Sequence, residues 1–117
     1  METLRILDKI YSYQDLAPLL SAPKKILIDN KSKQRINESY KKLDEIILSG
    51  ETIYGVNTGF GRLSQIKINK ADQKKLQLNL VRSHAAGIGN NLDIGIVRIA
   101  MTLKLISYAR GYSGVHP

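Results

Sequence analysis

The sequence predicts a mainly α chain with one or two short strands and a glycine-rich loop. Three observations point there. Apolar residues recur at helical spacing between 31 and 48, a second segment with a helix-start signal runs towards His84, and a third, from about 93 to 110, is apolar on nearly every side. An apolar run bounded by turn residues, the signature of a strand, is confined to KKILID at 24–29. With 117 residues, 43% of them hydrophobic and 24% charged, the chain has the make-up of a globular, soluble domain able to bury a modest core.

In chain order, METLRILDKI carries no clear pattern, and YQDLAPLLSAP reads as a short helix starting near Asp15 and halted by Pro23. KKILID is a brief strand that ends in the turn residues Asp29 and Asn30. In KSKQRINESYKKLDEIILSG, the residues Ile36, Tyr40, Leu43 and Ile47 fall on one helical face, the opposite face is basic, and Gly50 closes the helix. The stretch ETIYGVNTGFGRLSQ at 51–65 is a loop. INKADQKKLQLNLVRSHAAG then starts a helix at the N-cap Asn69, with Asp72 three residues on. It puts Leu76 and Leu80 on its inner face and carries His84 into its last turn before Gly87 and Gly89.

The last helix, about Asp93 to Arg110 and capped by Gly111, is interrupted only by Arg98 and Lys104. A helix apolar all round is either buried in a large core or spans a membrane. Two internal charges and the lack of an unbroken run of about 18 apolar residues argue against a span. The other helices offer too little apolar surface to cover it, so the expectation is a helix that needs further partners.

Several chemistries are excluded or weakened. There is no Cys, which removes disulfides, thiolate metal sites and a cysteine nucleophile. His84 and His116 are the only histidines and neither has a partner at ligand spacing, so no metal site is expected. Gly55, Gly59 and Gly61 form GxxxGxG, which is neither the dinucleotide GxGxxG nor a Walker loop, and no GxSxG nucleophile elbow occurs. The net charge of +8 raises nucleic acid as a partner, but the lysines are scattered with few aromatics among them. The expectation is a solvated basic surface, with no nucleic-acid or membrane partner. No apolar run follows a basic N-terminal patch, so a cytoplasmic protein is expected.

What remains is Tyr54 in the glycine-rich loop and His84 at a helix end. A phenol has an unperturbed pKa of about 10 and accepts a proton only where its surroundings favour the phenolate. A glycine-rich loop would let such a residue close over a substrate. The alternatives stay open: Tyr54 as a core ring with a satisfied hydroxyl, and His84 as a charge placed favourably on the helix dipole.

Taken together, YGVNTGFG, LQLNLVRSHAAGIG and IVRIAMTLKLISYARGYSGV, in this order and spacing, resemble the N-terminal part of the aromatic amino acid ammonia-lyase family. The resemblance runs from about residue 26 to the end. It implies the N-terminal part of the L-aspartase-like helical fold and a chain that assembles as a homotetramer. It further implies that Tyr54 is the base removing the β-proton of the amino acid, with Gly55, Asn57, Thr58, Gly59, Phe60 and Gly61 as a mobile lid. Ser83 and His84 stand where the family sets substrate preference, and Ser-His resembles the histidine-using members rather than those with Phe-Leu or His-Leu. The implied reaction is loss of ammonia from L-histidine to give urocanate.

The family's electrophile, the 4-methylideneimidazol-5-one group (MIO), arises from Ala-Ser-Gly, and that triplet is absent from these residues. The Ser-Gly pairs, Ser49-Gly50 and Ser113-Gly114, follow Leu48 and Tyr112. The expectation is therefore that residues 1–117 are the N-terminal portion of the catalytic domain of a longer lyase, inactive alone. The competing readings are a tyrosine or phenylalanine ammonia-lyase, an aminomutase, or a non-catalytic helical interaction module derived from the family.

Overall fold

A computed structural model describes residues 1–117. It is mainly helical, with a small two-stranded sheet: β1 Thr3–Ile6, α1 Tyr13–Leu16, α2 Pro18–Ser21, β2 Lys25–Ile28, α3 Asn30–Leu48, a 3-10 turn Gly61–Leu63, α4 Lys70–His84 and α5 Ile94–Ala109. These elements make two compact units, one of residues 1–43 with 91–117, the other of residues 44–90.

In the first unit, β1 and β2 pair in parallel, Thr3 opposite Lys25 and Ile6 opposite Ile28. Parallel neighbours need a crossover, and residues 7–24 supply it as the two one-turn helices α1 and α2. The sequence left residues 1–10 unassigned because a four-residue strand shows only two inward side chains, Leu4 and Ile6, and forms only against its partner. The short helix expected near Asp15 starts at Tyr13 and is split by Pro18, which takes the first position of α2 and cannot donate within α1.

Ser12 caps α1 in a capping box. Its hydroxyl accepts from the Asp15 N–H, while the Asp15 carboxylate accepts from the Ser12 N–H at 2.8 Å. Lys9 donates to the same carboxylate at 2.7 Å. The Lys9 ammonium, with the Ser12 bonds second, holds Asp15 down from the ordinary 3.8 to about 2. Because the folded value is the lower one, the stabilisation is complete above pH about 4 and disappears as pH falls through about 2. Acid unfolding followed by circular dichroism should lose part of its slope across that window in Asp15→Asn, and an identical acid limb would refute the linkage.

The core consists of Ile6, Leu16, Leu19, Ile106 and Ala109, with Leu4, Tyr11, Ile26, Ile28 and Ile99 against it. α5 contributes a stripe of Gly95, Thr102, Ile106 and Ala109. At Gly95 it meets α2 so closely that a Cβ would lie 2.5 Å from the Leu20 carbonyl oxygen. Asp93 caps α5, accepting from the Gly95 N–H at 2.8 Å. The other side of α5 is uncovered: Ile94, Ile96, Met101 and Leu103 are 60%, 50%, 64% and 49% exposed. The sequence's expectation of more apolar surface than the neighbouring elements can cover is met. No helix is long and apolar enough to cross a membrane.

α3 starts one residue earlier than its sequence pattern suggests. Asp29, read from sequence as a turn residue, accepts from the Ser32 N–H at 3.0 Å and so satisfies a donor of the first turn. Ile36 is buried and Tyr40 and Leu43 are half-buried, in line with the predicted stripe. After α5, the Gly114 N–H donates to Ser39 Oγ at 3.0 Å and His116 meets Tyr40 edge-on at 5.0 Å, laying the final segment along α3.

The second unit begins with the end of α3. Gly50, at φ +86°, turns the chain out of the helix, and Lys67 Nζ donates to its carbonyl at 2.6 Å. The segment between is the glycine-rich loop, followed by α4. Asn69 stands at the N-cap of α4 as expected, but its side chain makes no capping bond; the Asp72 N–H donates instead to the Asn69 backbone carbonyl at 2.9 Å. Gln73, Leu76 and Leu80 form the half-buried face of α4.

Candidate active site

The loop is built from its own hydrogen bonds. The Ile53 carbonyl accepts from the N–H groups of Val56 and Asn57, closing a tight turn around Tyr54 and Gly55. Gly55 takes φ +74° at that turn, a conformation costly for any residue with a Cβ. Downstream, Thr58 bridges antiparallel to Lys67, with the Gly59 N–H donating to the Ile66 carbonyl at 3.2 Å and the Ile68 N–H to the Asn57 carbonyl at 2.8 Å. Gly59 is needed for close approach: a Cβ there would fall 2.6 Å from both the Leu63 carbonyl oxygen and its Cβ. Gly61, at φ +55°, opens the 3-10 turn.

Asn57 and Thr58 are 1% and 0% exposed, and with Gly59 they are the only buried residues between 44 and 90. Asn57 Oδ1 accepts from the Ile53 N–H and its Nδ2 donates to the Glu51 carbonyl, both at 2.8 Å. Thr58 Oγ1 accepts from the Gly55 N–H at 3.1 Å and donates to the Gly59 carbonyl at 3.0 Å. Buried polar groups without partners would be costly, and none is left unpaired.

Tyr54 projects from this frame. It is 64% exposed, its ring meets that of Phe60 edge-on at 5.7 Å, and its hydroxyl makes no hydrogen bond. Within residues 1–117, Tyr54 is not a core ring with a satisfied hydroxyl. The phenol oxygen is free to meet an incoming group.

Ser83 and His84 lie in the last turn of α4, both exposed. His84 Nδ1 is 2.9 Å from the Leu80 carbonyl, and Ser83 Oγ is 3.1 Å from the same oxygen. A carbonyl only accepts, so Nδ1 carries a proton and Nε2 is left as the ring nitrogen without a partner. Ser83 Oγ sits 3.0 Å from the same Nδ1.

No hydrogen bond joins Tyr54 to Ser83 or His84. The loop is instead tied to α4 by Gln77, whose Nε2 donates to the Gly55 carbonyl at 3.3 Å. Sequence reasoning passed over Gln77, although it precedes His84 by seven residues and so falls on the same helical face. A cleft of about 320 Å³ lined by residues from Lys67 to Asn79 contains none of the candidate residues.

Residues 11–117 match the sequence pattern of the aromatic amino acid lyases. The chain belongs to that family. It is 40% identical over 115 residues to the histidine ammonia-lyase of Salmonella typhimurium, and 43% identical over 104 residues to that of Salmonella arizonae. These alignments take in 98% and 89% of the chain but 23% and 21% of the relatives, so the chain spans less than a quarter of their length. Among solved structures, it superimposes on tyrosine aminomutase from Streptomyces globisporus with a TM-score of 0.88 at 25% identity, over 97% of this chain and 22% of that one. The ergothionase of Treponema denticola gives a TM-score of 0.91 at 21% identity, over 97% of this chain and 23% of that one, a likeness of fold.

Proposed function

We propose that these residues serve a histidine ammonia-lyase, which releases ammonia from L-histidine and leaves trans-urocanate. The observation that carries the reading is the 40% identity to histidine ammonia-lyases across nearly the whole chain, which spans Tyr54, Ser83 and His84. The exposed Tyr54 hydroxyl and the unpartnered Nε2 of His84 are accessible to a substrate, and the surroundings that favour a phenolate would come from outside residues 1–117. A tyrosine-using aminomutase, at 25% identity, stands further off.

In this reading the Tyr54 oxygen takes the proton from Cβ, the C–H electron pair becomes the Cα=Cβ double bond, and the C–N bond breaks with its electron pair leaving on nitrogen. His84 Nε2 accepts from the substrate imidazole, with Ser83 beside it. Residues 1–117 hold no Ala-Ser-Gly from which MIO could form, so they do not provide that group. Supplied from outside them, MIO would activate the amino group as a leaving group. Assembly as a homotetramer in the cytoplasm belongs to the same proposal.

The test is expression of the whole reading frame that contains these residues, with L-histidine as substrate. Ultraviolet absorbance should rise as urocanate forms. Release of ammonia from tyrosine or phenylalanine but not from histidine would overturn the substrate assignment. His84→Leu should lower kcat/KM for histidine by about ten- to a hundredfold, since a substrate imidazole would lose its hydrogen-bond partner in a closed site. Unchanged histidine turnover in that variant would remove His84 from the pocket.

A further inference from the structure

We infer that Asn57 and Thr58 are positioning residues that clamp the backbone on either side of Tyr54, so that the phenol is delivered by a preformed turn rather than by a slack lid. This rests on the reading of Tyr54 as the base.

The argument starts from burial. Residues 44–90 have no buried apolar side chain, and their two most buried side chains are an amide and a hydroxyl. Each one reaches back along the chain. Asn57 holds the N–H of Ile53, the residue before Tyr54, and the carbonyl of Glu51 two residues further upstream. Thr58 holds the N–H of Gly55, which belongs to the peptide group formed by Tyr54's own carbonyl carbon. Thr58 thus fixes the peptide on the C-terminal side of the Tyr54 Cα, while on the N-terminal side the Asn57 side chain fixes the peptide one further upstream, Thr52–Ile53, and the Ile53 carbonyl accepts from the backbone N–H groups of Val56 and Asn57.

Glycine at 55 and 59 gives the turn its shape, but glycine alone would also let it relax, and a base must be held within a fraction of an ångström of its target. Asn57 and Thr58 supply what glycine cannot. Their bonds go only to backbone groups of residues 51–59, none to a neighbouring helix, so the clamp acts on this turn alone.

Three variants separate positioning from mere structural support. Thr58→Val keeps the shape and removes the hydroxyl, Thr58→Ser restores the hydroxyl, and Asn57→Leu removes the amide at similar volume. Amide hydrogen exchange in the protein should speed up at Gly55 by about tenfold in Thr58→Val and at Ile53 in Asn57→Leu, with α4 amides unchanged, and return towards the original rate in Thr58→Ser. In the lyase assay, kcat should fall in the first and third variants with KM nearly constant, and Thr58→Ser should recover it. Unaltered exchange at Gly55 and Ile53, uniform acceleration across residues 44–90, or local acceleration with normal kcat would each overturn the inference. Should the unmodified protein release no ammonia at all, the lyase reading fails, while the exchange data still decide whether the clamp exists.

Discussion

Under the proposed role of Tyr54 as base in the whole lyase, Tyr54→Phe should reduce ammonia release by about a hundredfold to ten-thousandfold, the range over which a positioned acid or base contributes to rate. The substitution is clean for structural reasons. The lost hydroxyl makes no hydrogen bond, and the remaining ring still meets Phe60 edge-on, at the 5.7 Å spacing now seen. The side chain is 64% exposed, so the fold loses almost nothing and thermal unfolding should be unchanged. Steady-state kinetics on L-histidine, with a melting curve on the same sample, makes the check. A kcat near that of the unmodified protein would remove Tyr54 from the role of base, and a lowered melting temperature would show that its hydroxyl has a structural duty the present geometry does not reveal.

The parts of the fold that were legible in the sequence are those where one element carries its own signal. Ile36, Tyr40 and Leu43 mark the inner face of α3 through spacing alone, and Gly111, at φ +75°, ends α5 where a helix-stop residue was expected. The strand at 25–28 was visible because an apolar run meets turn residues. Its partner β1 was not, since Leu4 and Ile6 gain meaning only when Ile26 and Ile28 lie beside them. Ser12 and Asp15 held a capping-box spacing that would have placed the start of α1 two residues earlier, at Tyr13.

For the candidate site, residue types were readable and their arrangement was not. Three glycines around a tyrosine signalled an unusual backbone, and that signal is read equally well as slackness or as a tight turn. The hydrogen bonds of Asn57 and Thr58 build a tight turn and leave open whether the loop moves as a lid. As polar residues in a loop they look solvent-facing in one dimension, and only three-dimensional closure buries them and turns their side chains onto Ile53 and Gly55. Gln77 was missed for a related reason: its partner is a backbone carbonyl 22 residues away, and backbone carbonyls leave no trace in a sequence. Side chains that bond to main chain across a loop are thus the hardest functional support to foresee, even when the residue they support is evident.

Gly59→Ala should damage the loop more than Gly61→Ala, although Gly61 has the more unusual backbone angle. At Gly61, φ is +55° and nothing lies within 4 Å of an added Cβ, so the cost is local strain, on the order of 1–2 kcal/mol, with no neighbour displaced. At Gly59 the added carbon would sit 2.6 Å from the Leu63 carbonyl oxygen, a backbone atom that cannot swing aside as a side-chain tip could. Relief requires residues 59 and 63 to separate, which strains the Gly59–Ile66 hydrogen bond and the Thr58 hydroxyl bond to the Gly59 carbonyl. The direct cost is about 1–3 kcal/mol for overpacking. The larger effect is kinetic, because Thr58 also holds Gly55, and a shift of Thr58 moves the turn that carries Tyr54. A displacement of about 1 Å at a reacting group costs about a hundredfold in rate. Activity on L-histidine should therefore fall about a hundredfold in Gly59→Ala and by less than tenfold in Gly61→Ala. The order should reverse if backbone angle rather than close approach governs this loop, and equal losses in the two variants would mean that Leu63 yields easily and that the contact at Gly59 does not set the position of Tyr54.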